Sequence, residues 1–290
     1  MRVHYSPEDK KILWSSSDDP NLTIPCRQCV GCRLERSRIW AVRVMHEAQL
    51  YSENSYITLT YAPEHLKSPS LEYEDFQLFM KRLRKRFTGK TIRFYMCGEY
   101  GEQNRRPHFH ACIFNLDFQD KVFHKTENGF PVYTSPTLSQ LWPFGFSTVG
   151  SLTFRSAAYV ARYIMKKQTG DGAVFHYLSD EVDPETGEIT PLTPEFNKMS
   201  LKPGIGQKWI EKYMDDVYPH DYVVINGHKT RPPAYYDQQY QKVKGLSAAA
   251  ELEIERFERA LKHEENNTPE RLAVREKISH LKLKKLKRTL

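Results

Sequence analysis

The chain has 290 residues, a formal net charge of +7 and an aromatic content of 12%. This length allows one large domain or a core with extensions, and a basic, aromatic-rich chain favours a polyanionic partner such as nucleic acid. No apolar run is long enough to cross a membrane and the first residues lack an apolar signal segment, so we expect neither feature.

Three of the five cysteines, Cys26, Cys29 and Cys32, follow one another at a spacing of three residues. An odd and clustered set argues against a disulfide framework and predicts a reducing, cytoplasmic environment. Thiolates at this spacing on a tight turn can converge on a soft metal ion, so zinc is one interpretation and three reduced thiols are the other. A structural zinc needs a fourth ligand, for which the candidates are His4, His46 or a distant cysteine.

A helix is predicted from Leu34 to Leu50, a strand from Ser55 to Tyr61 and a second helix from Glu72 to Phe87. Five of the six positions from 81 to 86 in that second helix are basic. Cations favour helix C-termini, but so many of them also predict contacts with DNA phosphates. The candidate DNA-binding residues of this helix are Arg82, Arg84, Lys85 and Arg86.

Two further strands, 92–97 and 108–114, are predicted to form a hairpin with a long polar loop. The second alternates in period two, so His108 and His110 face one side. Two histidines at this spacing can bind a single metal ion, and Glu99 at the end of the preceding strand could add an oxygen ligand. The alternative is a surface strand with two solvated histidines.

The next elements are a loop at 116–136 with a turn at Asn128-Gly129, a short helix at 137–142, a strand at 144–154 and a helix at 156–167. Strands and helices in this order predict an α+β fold with an antiparallel sheet backed by helices.

The rest of the chain is predicted to be less regular. Residues 168–200 are interpreted as an irregular insert with one hairpin at Gly187, followed by a helix from Gln207 and a hairpin with its turn at Asn226-Gly227. A charged tail, helical or partly disordered, follows. The predicted division is an N-terminal segment 1–53, a core 54–170, an irregular insert with an accessory helix and hairpin 171–246, and a tail 247–290.

The helix at 156–167 carries Tyr159 and Tyr163 one turn apart, with Lys166 and Lys167 continuing the same face. A tyrosine pair at helical spacing is usually part of a core. Here it follows a strand ending in Thr60-Tyr61 and the strand with two histidines.

Together these motifs resemble those of the HUH superfamily of single-strand endonucleases, specifically its rolling-circle replication initiators. The two-tyrosine form YVARYIMKK is similar to the initiators of small icosahedral single-stranded DNA phages. The cysteine leader, SYITLTYAPEHL, CGEYGEQNRRPHFHACIF and KPGIG are similar to the gokushovirus type within the microviruses. The resemblance covers roughly residues 20–215 and implies a sheet core like that of the RRM or palm folds.

The resemblance also implies roles for individual residues. His108 and His110 match two metal ligands, and Glu99 is similar to an acidic third ligand, with Glu102 as the fallback. The pair Tyr159 and Tyr163 matches the nucleophiles, and Lys166 and Lys167 match the basic residues that follow them. The first motif, whose role is mostly structural, is matched by Thr58, Thr60 and Tyr61. Two arginines before the histidines, Arg105 and Arg106, are further candidates for DNA binding.

The activity implied is metal-dependent nicking of one strand at a viral origin. Tyrosine attack would form a 5′-phosphotyrosine and a free 3′-OH, and the strand would later be rejoined. The expected metal is Mg²⁺ or Mn²⁺. The expected partners are single-stranded and supercoiled viral origin DNA, with host helicase and DNA polymerase, in the cytoplasm of an infected bacterium.

Three alternatives are weighed against this interpretation. A plasmid relaxase or transposase of the same superfamily also fits the two tyrosines and the motif order. A non-catalytic nucleic-acid-binding module would fit the fold but leave the two histidines without a task. A dinuclear zinc hydrolase would need an Asp-His after His110, where Ala111 and Cys112 stand.

Overall fold

The structure is a computed structural model that describes residues 2–6, 11–13, 22–23, 25–101, 104–162, 167, 172–182, 187 and 189–285. Near the N-terminus, strand β1 (Arg2–Ser6) pairs antiparallel with β2 (Lys11–Leu13) and β3 (Leu22–Thr23). Helix α1 spans Val30–Ala48 and begins before the predicted start at Leu34, directly after the extended backbone of Cys29.

Further strands in chain order are β4 (Asn54–Thr60), β5 (Arg93–Tyr100), β6 (Pro107–Phe114), β7 (Val122–Glu127), β8 (Phe130–Thr134), β9 (Ser147–Ser151), β10 (Leu178–Val182), β11 (Ile189–Pro191), β12 (Phe196–Met199), β13 (Val223–Ile225) and β14 (His228–Thr230). Further helices are α2 (Tyr73–Arg86), α3 (Pro136–Leu141), α4 (Phe154–Arg162), α5 (Ala173–His176), α6 (Gln207–Val217), α7 (Ala234–Leu261) and α8 (Pro269–Lys285). A central sheet of seven strands has the order β12-β5-β6-β4-β9-β8-β7, and its pairs are antiparallel. The predicted α+β class, a sheet flanked by helices, is confirmed.

One face of the sheet is covered by α2. Strand alternation directs Ile57 of β4 and Phe109 of β6 to this face, where they pack with Phe76 and Leu83 of α2. These side chains are fully buried. Because the core on this side is apolar and closed, the functional groups of the same strands are directed to the other face.

The opposite face is covered by α1 and α4. Here Cys112 of β6 packs in one cluster with Ala41 and Val44 of α1 and with Ala157 and Val160 of α4. The small alanine side chains let the two helices lie close to each other and to the sheet. Helix α4 is thereby placed directly above strands β5 and β6.

Helix α4 begins at Phe154, inside the stretch predicted as a strand, and that prediction is wrong at its C-terminal end. The backbone N–H of Ser156 donates to the Thr153 hydroxyl, and the Thr153 N–H donates to the Ser156 hydroxyl. This reciprocal capping satisfies donors that a helix start leaves unpaired, so the helix begins earlier than its apolar pattern indicated.

The predicted loop at 116–136 contains a hairpin instead, formed by β7 and β8. Asn128 and Gly129 have φ values of 50° and 83°, the left-handed backbone of a type I′ turn. The Asn-Gly turn was recognised in the sequence, but the exposed and mixed composition of both strands hid them. The β8 strand extends the sheet through Tyr133, which is paired with Val149 of β9.

The predicted irregular insert also contributes to the sheet. Its hairpin at Gly187 is confirmed by the pairing of β10 with β11, but β12 was not predicted. Phe196–Met199 pair antiparallel with Tyr95–Gly98 of β5 and form an edge of the central sheet. The insert is therefore partly integrated with the core, and the division of the chain into four regions stays a prediction.

The KPGIG segment is held against α1 and β5 by buried charges. Glu47 of α1 and Arg93 of β5 form an ion pair at 2.6 Å, with side chains 2% and 6% exposed. Glu47 also accepts from the Gly206 N–H at 2.7 Å, and Arg93 donates to the Pro203 carbonyl at 2.6 Å. Gly206 has a φ of 77°, and a Cβ there would lie 2.5 Å from the Tyr236 hydroxyl, so the close approach requires glycine.

The C-terminal part is helical, as one of the two predictions for the tail proposed. Leu252 of α7 is buried in a core with α6, and Arg256 binds Asp221 and Asp237. Beyond them α8 is largely exposed. Among the described residues, no helix has the length and apolar character that crossing a membrane would require.

Candidate active site

Three side chains that can bind a metal ion converge on the α1 and α4 side of the sheet. Glu99 on β5 is paired directly with His108 on β6, and His110 follows two residues later on the same face. The Nε2 atoms of His108 and His110 lie 2.7 and 2.8 Å from Glu99 Oε1. The ligand atoms all lie within 4.8 Å of one another, so the structure brings together the three predicted ligands, here called the metal triad.

The second ring nitrogen of each histidine is held by a hydrogen bond that orients the ring. His108 Nδ1 donates to the Arg106 carbonyl at 3.1 Å, and because a carbonyl only accepts, the lone pair of this ring lies on Nε2. His110 Nδ1 lies 2.7 Å from the Tyr56 hydroxyl and 2.9 Å from the Thr58 hydroxyl. Both Nε2 atoms therefore point into the triad, as outer partners achieve in metal sites.

The charge of the triad fits a divalent cation. Burial raises the pKa of the Glu99 carboxyl, but hydrogen bonds from His108 and His110 outweigh burial and lower this pKa below its usual value. A buried carboxylate that stays ionised needs a cation or strong donors beside it. Two imidazole nitrogens and one carboxylate oxygen suit Mg²⁺ or Mn²⁺, and the nitrogen ligands favour Mn²⁺.

Tyr159 on α4 faces the triad. Its hydroxyl lies 3.4 Å from Glu99 Oε1, and its ring meets the His110 ring edge-on with centroids 5.1 Å apart. This position follows from the packing of α4 on β5 and β6, which buries the neighbouring Ala157 and Val160. The structure thus places one predicted nucleophile beside the predicted ligands.

Several other predicted site residues are not brought to the triad by the described part of the chain. Tyr163 and Lys166 lie outside the described residues, as does the fallback ligand Glu102. Lys167 is described and half-buried. The pairing of two tyrosines with two lysines therefore stays a prediction.

Tyr56 and Thr58 are the contacts that the sequence interpretation missed or understated. Thr58 was assigned a mostly structural role, and Tyr56 was given none. Strand β4 is paired with β6, with Thr58 opposite His110, and its alternation directs both hydroxyls to the same face. The alternating pattern of SYITLTY held this information, but only the strand pairing shows which neighbour the hydroxyls meet.

The basic residues of α2 lie on the other side of the sheet from the metal triad, because α2 packs on the opposite face. Arg82 and Arg84 each donate to a backbone carbonyl, at 2.9 and 3.3 Å, while Lys85 and Arg86 are exposed. Part of this charge therefore stabilises the fold. Contact of these residues with DNA stays a prediction, and such contact would lie away from the triad.

Arg105 and Arg106 lie just before His108 in the chain. Arg105 donates to the His176 carbonyl at 2.8 Å, and Arg106 donates to the Tyr61 carbonyl at 3.2 Å. Both side chains are half-buried. They anchor the end of the β5–β6 loop, and their predicted contact with DNA is untested.

A groove of about 240 Å³ begins at His110 and crosses β4 and β9 to the β7–β8 hairpin. Phe146 and Phe130 line it and are 50% and 40% exposed. The Arg155 guanidinium lies 5.3 Å from the centre of the Phe130 ring. The groove therefore offers aromatic faces and a cation beside the metal triad.

The cysteine cluster forms a second group of possible metal ligands. The Sγ atoms of Cys26, Cys29 and Cys32 lie within 4.8 Å of one another. The backbone N–H of Cys29 donates to Cys26 Sγ at 3.2 Å and lowers the pKa of the Cys26 thiol to about 6. The structure therefore brings these three predicted residues together.

Two of the suggested sources of a fourth ligand lie elsewhere. His46 stacks on Trp209 at 3.5 Å between ring centroids, and its Nδ1 lies 2.9 Å from the Tyr236 hydroxyl. Cys97 and Cys112 are buried within the central sheet. The side chain of His4 is outside the described part.

The chain is similar to replication-associated proteins of phages. The family described as Replication-associated protein ORF2 matches residues 54–168, which include the metal triad and Tyr159. Replication-associated protein VP4 of Bdellovibrio phage phiMH2K is 38% identical over 242 residues, covering 80% of this chain and 71% of the relative.

Two further relatives carry similar names. Replication-associated protein ORF2 of Spiroplasma virus 4 is 35% identical over 238 residues, covering 77% of this chain and 69% of the relative. Replication-associated protein ORF4 of Chlamydia phage 1 is 28% identical over 242 residues, covering 81% of this chain and 57% of the relative. No solved structure matches the chain.

Proposed function

Because the chain belongs to the family of phage replication-associated proteins, we propose that it nicks one strand of the viral origin through attack by a tyrosine. The contact between nucleophile and metal triad carries this proposal, since the Tyr159 hydroxyl lies 3.4 Å from Glu99 Oε1. A phenol and a phosphate-binding metal site must be neighbours for this reaction.

In the proposed reaction the phenol oxygen of Tyr159 forms a bond to phosphorus, and the bond from phosphorus to the 3′ oxygen breaks. The phenol gives up its proton, and the leaving 3′ oxygen takes one up. The products are a 5′-phosphotyrosine and a free 3′-OH that can prime a polymerase. One phosphodiester replaces another, so the 3′-OH can rejoin the strand by the reverse reaction.

The residues of the site orient the reacting groups. The hydroxyl of Tyr159 donates toward Glu99 Oε1, and the edge-on contact with His110 fixes its ring. Mg²⁺ or Mn²⁺ bound by His108, His110 and Glu99 would withdraw negative charge from the phosphate oxygens. Holding nucleophile and phosphate together removes much of the entropic cost of the reaction.

The family resemblance adds Tyr163 as a second nucleophile, one helical turn after Tyr159. While one tyrosine holds the displaced strand, the other would cut the regenerated origin. Lys166 and Lys167 would supply positive charge beside the phosphates. These assignments rest on the motif YVARYIMKK.

The groove beside His110 supports a single-stranded substrate. Bases of an unpaired strand are free to stack on aromatic side chains, and Phe146 and Phe130 are exposed in the groove. Arg155 would lie near the backbone phosphates. The strand would then run from the groove to the metal triad.

Removal of the exposed ring in the groove is expected to weaken DNA binding. Loss of stacking in Phe146→Ala costs about 1–3 kcal/mol, so the Kd for a single-stranded origin oligonucleotide should rise roughly 5- to 100-fold. Fluorescence anisotropy measures this. Phe257→Ala on α7, 64% exposed and away from the groove residues, is the matched control and should leave the Kd unchanged. Equal effects of both variants would exclude the groove as the path of the strand.

Incubation of the protein with a supercoiled origin plasmid and Mn²⁺ tests the proposed function directly. We expect nicked circles with protein covalently attached to the 5′ end, and no nicking of a plasmid that lacks the origin. DNA binding without a nick under any divalent metal would instead indicate a non-catalytic binding module. Preference for a plasmid transfer origin or a transposon end would indicate a relaxase or transposase.

The proposed reaction also names the partners. The free 3′-OH would be extended by a host DNA polymerase, and a host helicase would unwind the duplex ahead of it. Both would be met in the cytoplasm of the infected bacterium. These partners follow from the family resemblance.

A further inference from the structure

The three cysteines before α1 take no part in the proposed cleavage, and their geometry gives them a separate task. Cys29 directly precedes α1 and Cys32 lies in its first turn, while Cys26 lies on the turn before the helix. The Sγ atoms all lie within 4.8 Å of one another, and those of Cys26 and Cys32 are 3.9 Å apart.

These distances fit ligands of one ion. Zinc–sulfur bonds of about 2.3 Å in a tetrahedron place two sulfurs roughly 3.8 Å apart. An iron–sulfur cluster binds its cysteines to different iron atoms, so their sulfurs lie farther apart than the ligands of one ion. A disulfide would join two of the three cysteines at about 2.05 Å and leave the third unused.

The backbone of the turn is also shaped to bring the sulfurs together. Arg27 has a φ of 60°, a left-handed conformation that is uncommon for a residue with a side chain. This bend lets the Cys29 N–H donate to Cys26 Sγ at 3.2 Å. A hydrogen bond from the backbone to a thiolate is the outer support typical of sulfur-ligated metal sites.

We infer that Cys26, Cys29 and Cys32 bind one structural zinc ion through three thiolates. The fourth position is taken by a ligand other than His46, Cys97 or Cys112, which the fold holds elsewhere. His4 is the remaining candidate from the sequence.

The ion would fix the start of the helix that supports Tyr159. The Ser37 hydroxyl donates to the Ala158 carbonyl at 3.4 Å, and Ala41 packs against α4. Zinc at the first turn would therefore restrain α1 at the end nearest this contact. This task is independent of the metal triad, so it stands or falls separately from the proposed nicking activity.

The test uses full-length protein purified without oxygen, with His108→Ala and His110→Ala introduced so that the triad holds no metal. Elemental analysis should find one zinc per chain. Replacement of zinc by Co²⁺ should give the intense absorption of tetrahedral cobalt thiolate. Chelation should lower the Tm and increase amide hydrogen exchange in residues 30–37.

Cys26→Ser with Cys29→Ser should remove the zinc, whereas Cys97→Ala, a matched loss of a cysteine from the sheet, should retain it. His4→Ala should weaken zinc binding if that residue is the fourth ligand, and an unchanged affinity would leave the position to water. Iron with labile sulfide, a chain without metal, or zinc retained by the double serine variant would overturn the inference. The cobalt spectrum of the parent protein decides the outcome even where a serine variant fails to fold.

Discussion

Replacing both Tyr159 and Tyr163 by phenylalanine is expected to reduce strand cleavage by on the order of 10⁴-fold or more, the scale seen when a covalent nucleophile is removed. Phenylalanine keeps the ring that contacts His110 and removes only the hydroxyl beside Glu99. The rate is measured with a single-stranded origin oligonucleotide, and the covalent product is detected as a band shifted in a denaturing gel.

Tyr133→Phe is the matched control, because it removes a phenol from strand β8 at a position outside the metal triad. It should nick at the parent rate. The single variants then show which tyrosine cuts first, since only one of them should stop the first cleavage. Normal nicking by the double variant would show that the nucleophile is a different residue.

His108→Ala is expected to abolish detectable Mn²⁺ binding at the metal triad and to stop nicking. Changes in outer partners of metal ligands already cost about 10- to 100-fold in affinity, and loss of a ligand itself should cost more. The substitution also leaves Glu99 buried with one imidazole fewer beside it. Isothermal titration with Mn²⁺ measures the binding, and the plasmid assay measures the activity.

His228→Ala, an exposed histidine on β14, is the control for unspecific metal binding and should change neither quantity. Circular dichroism of His108→Ala should match the parent protein if the loss is local. Retained Mn²⁺ affinity with retained nicking would remove the triad from the mechanism. Retained affinity with lost nicking would instead make His108 important for a different step.

The metal triad could be predicted because its geometry is local. Alternation places His108 and His110 on one face, and the hairpin from β5 to β6 places Glu99 opposite the first of them. The resemblance to phage replication initiators is confirmed by the relatives, and the α+β class is confirmed by the sheet. The roles of individual site residues remain predictions.

What the sequence could not show depends on pairing between distant segments. Phe196 meets Gly98 across nearly one hundred residues, and nothing in the composition of β12 announces that partner. The contact of Tyr56 with His110 also requires knowledge of which strand lies beside β6. The basic pattern of α2 indicated DNA contacts, but periodicity alone does not tell on which side of the sheet a helix packs.

The ion pair between Glu47 and Arg93 has a consequence for how this family can vary. Removing one partner of a buried pair leaves an uncompensated charge and costs about 3–5 kcal/mol, whereas exchanging both for apolar side chains of similar volume can be nearly neutral. The stability of a typical domain is only about 5–15 kcal/mol, so the single intermediates are severe barriers. Descendant sequences can therefore leave this arrangement only by paired substitution, and KPGIG, which both side chains hold, is tied to the same step.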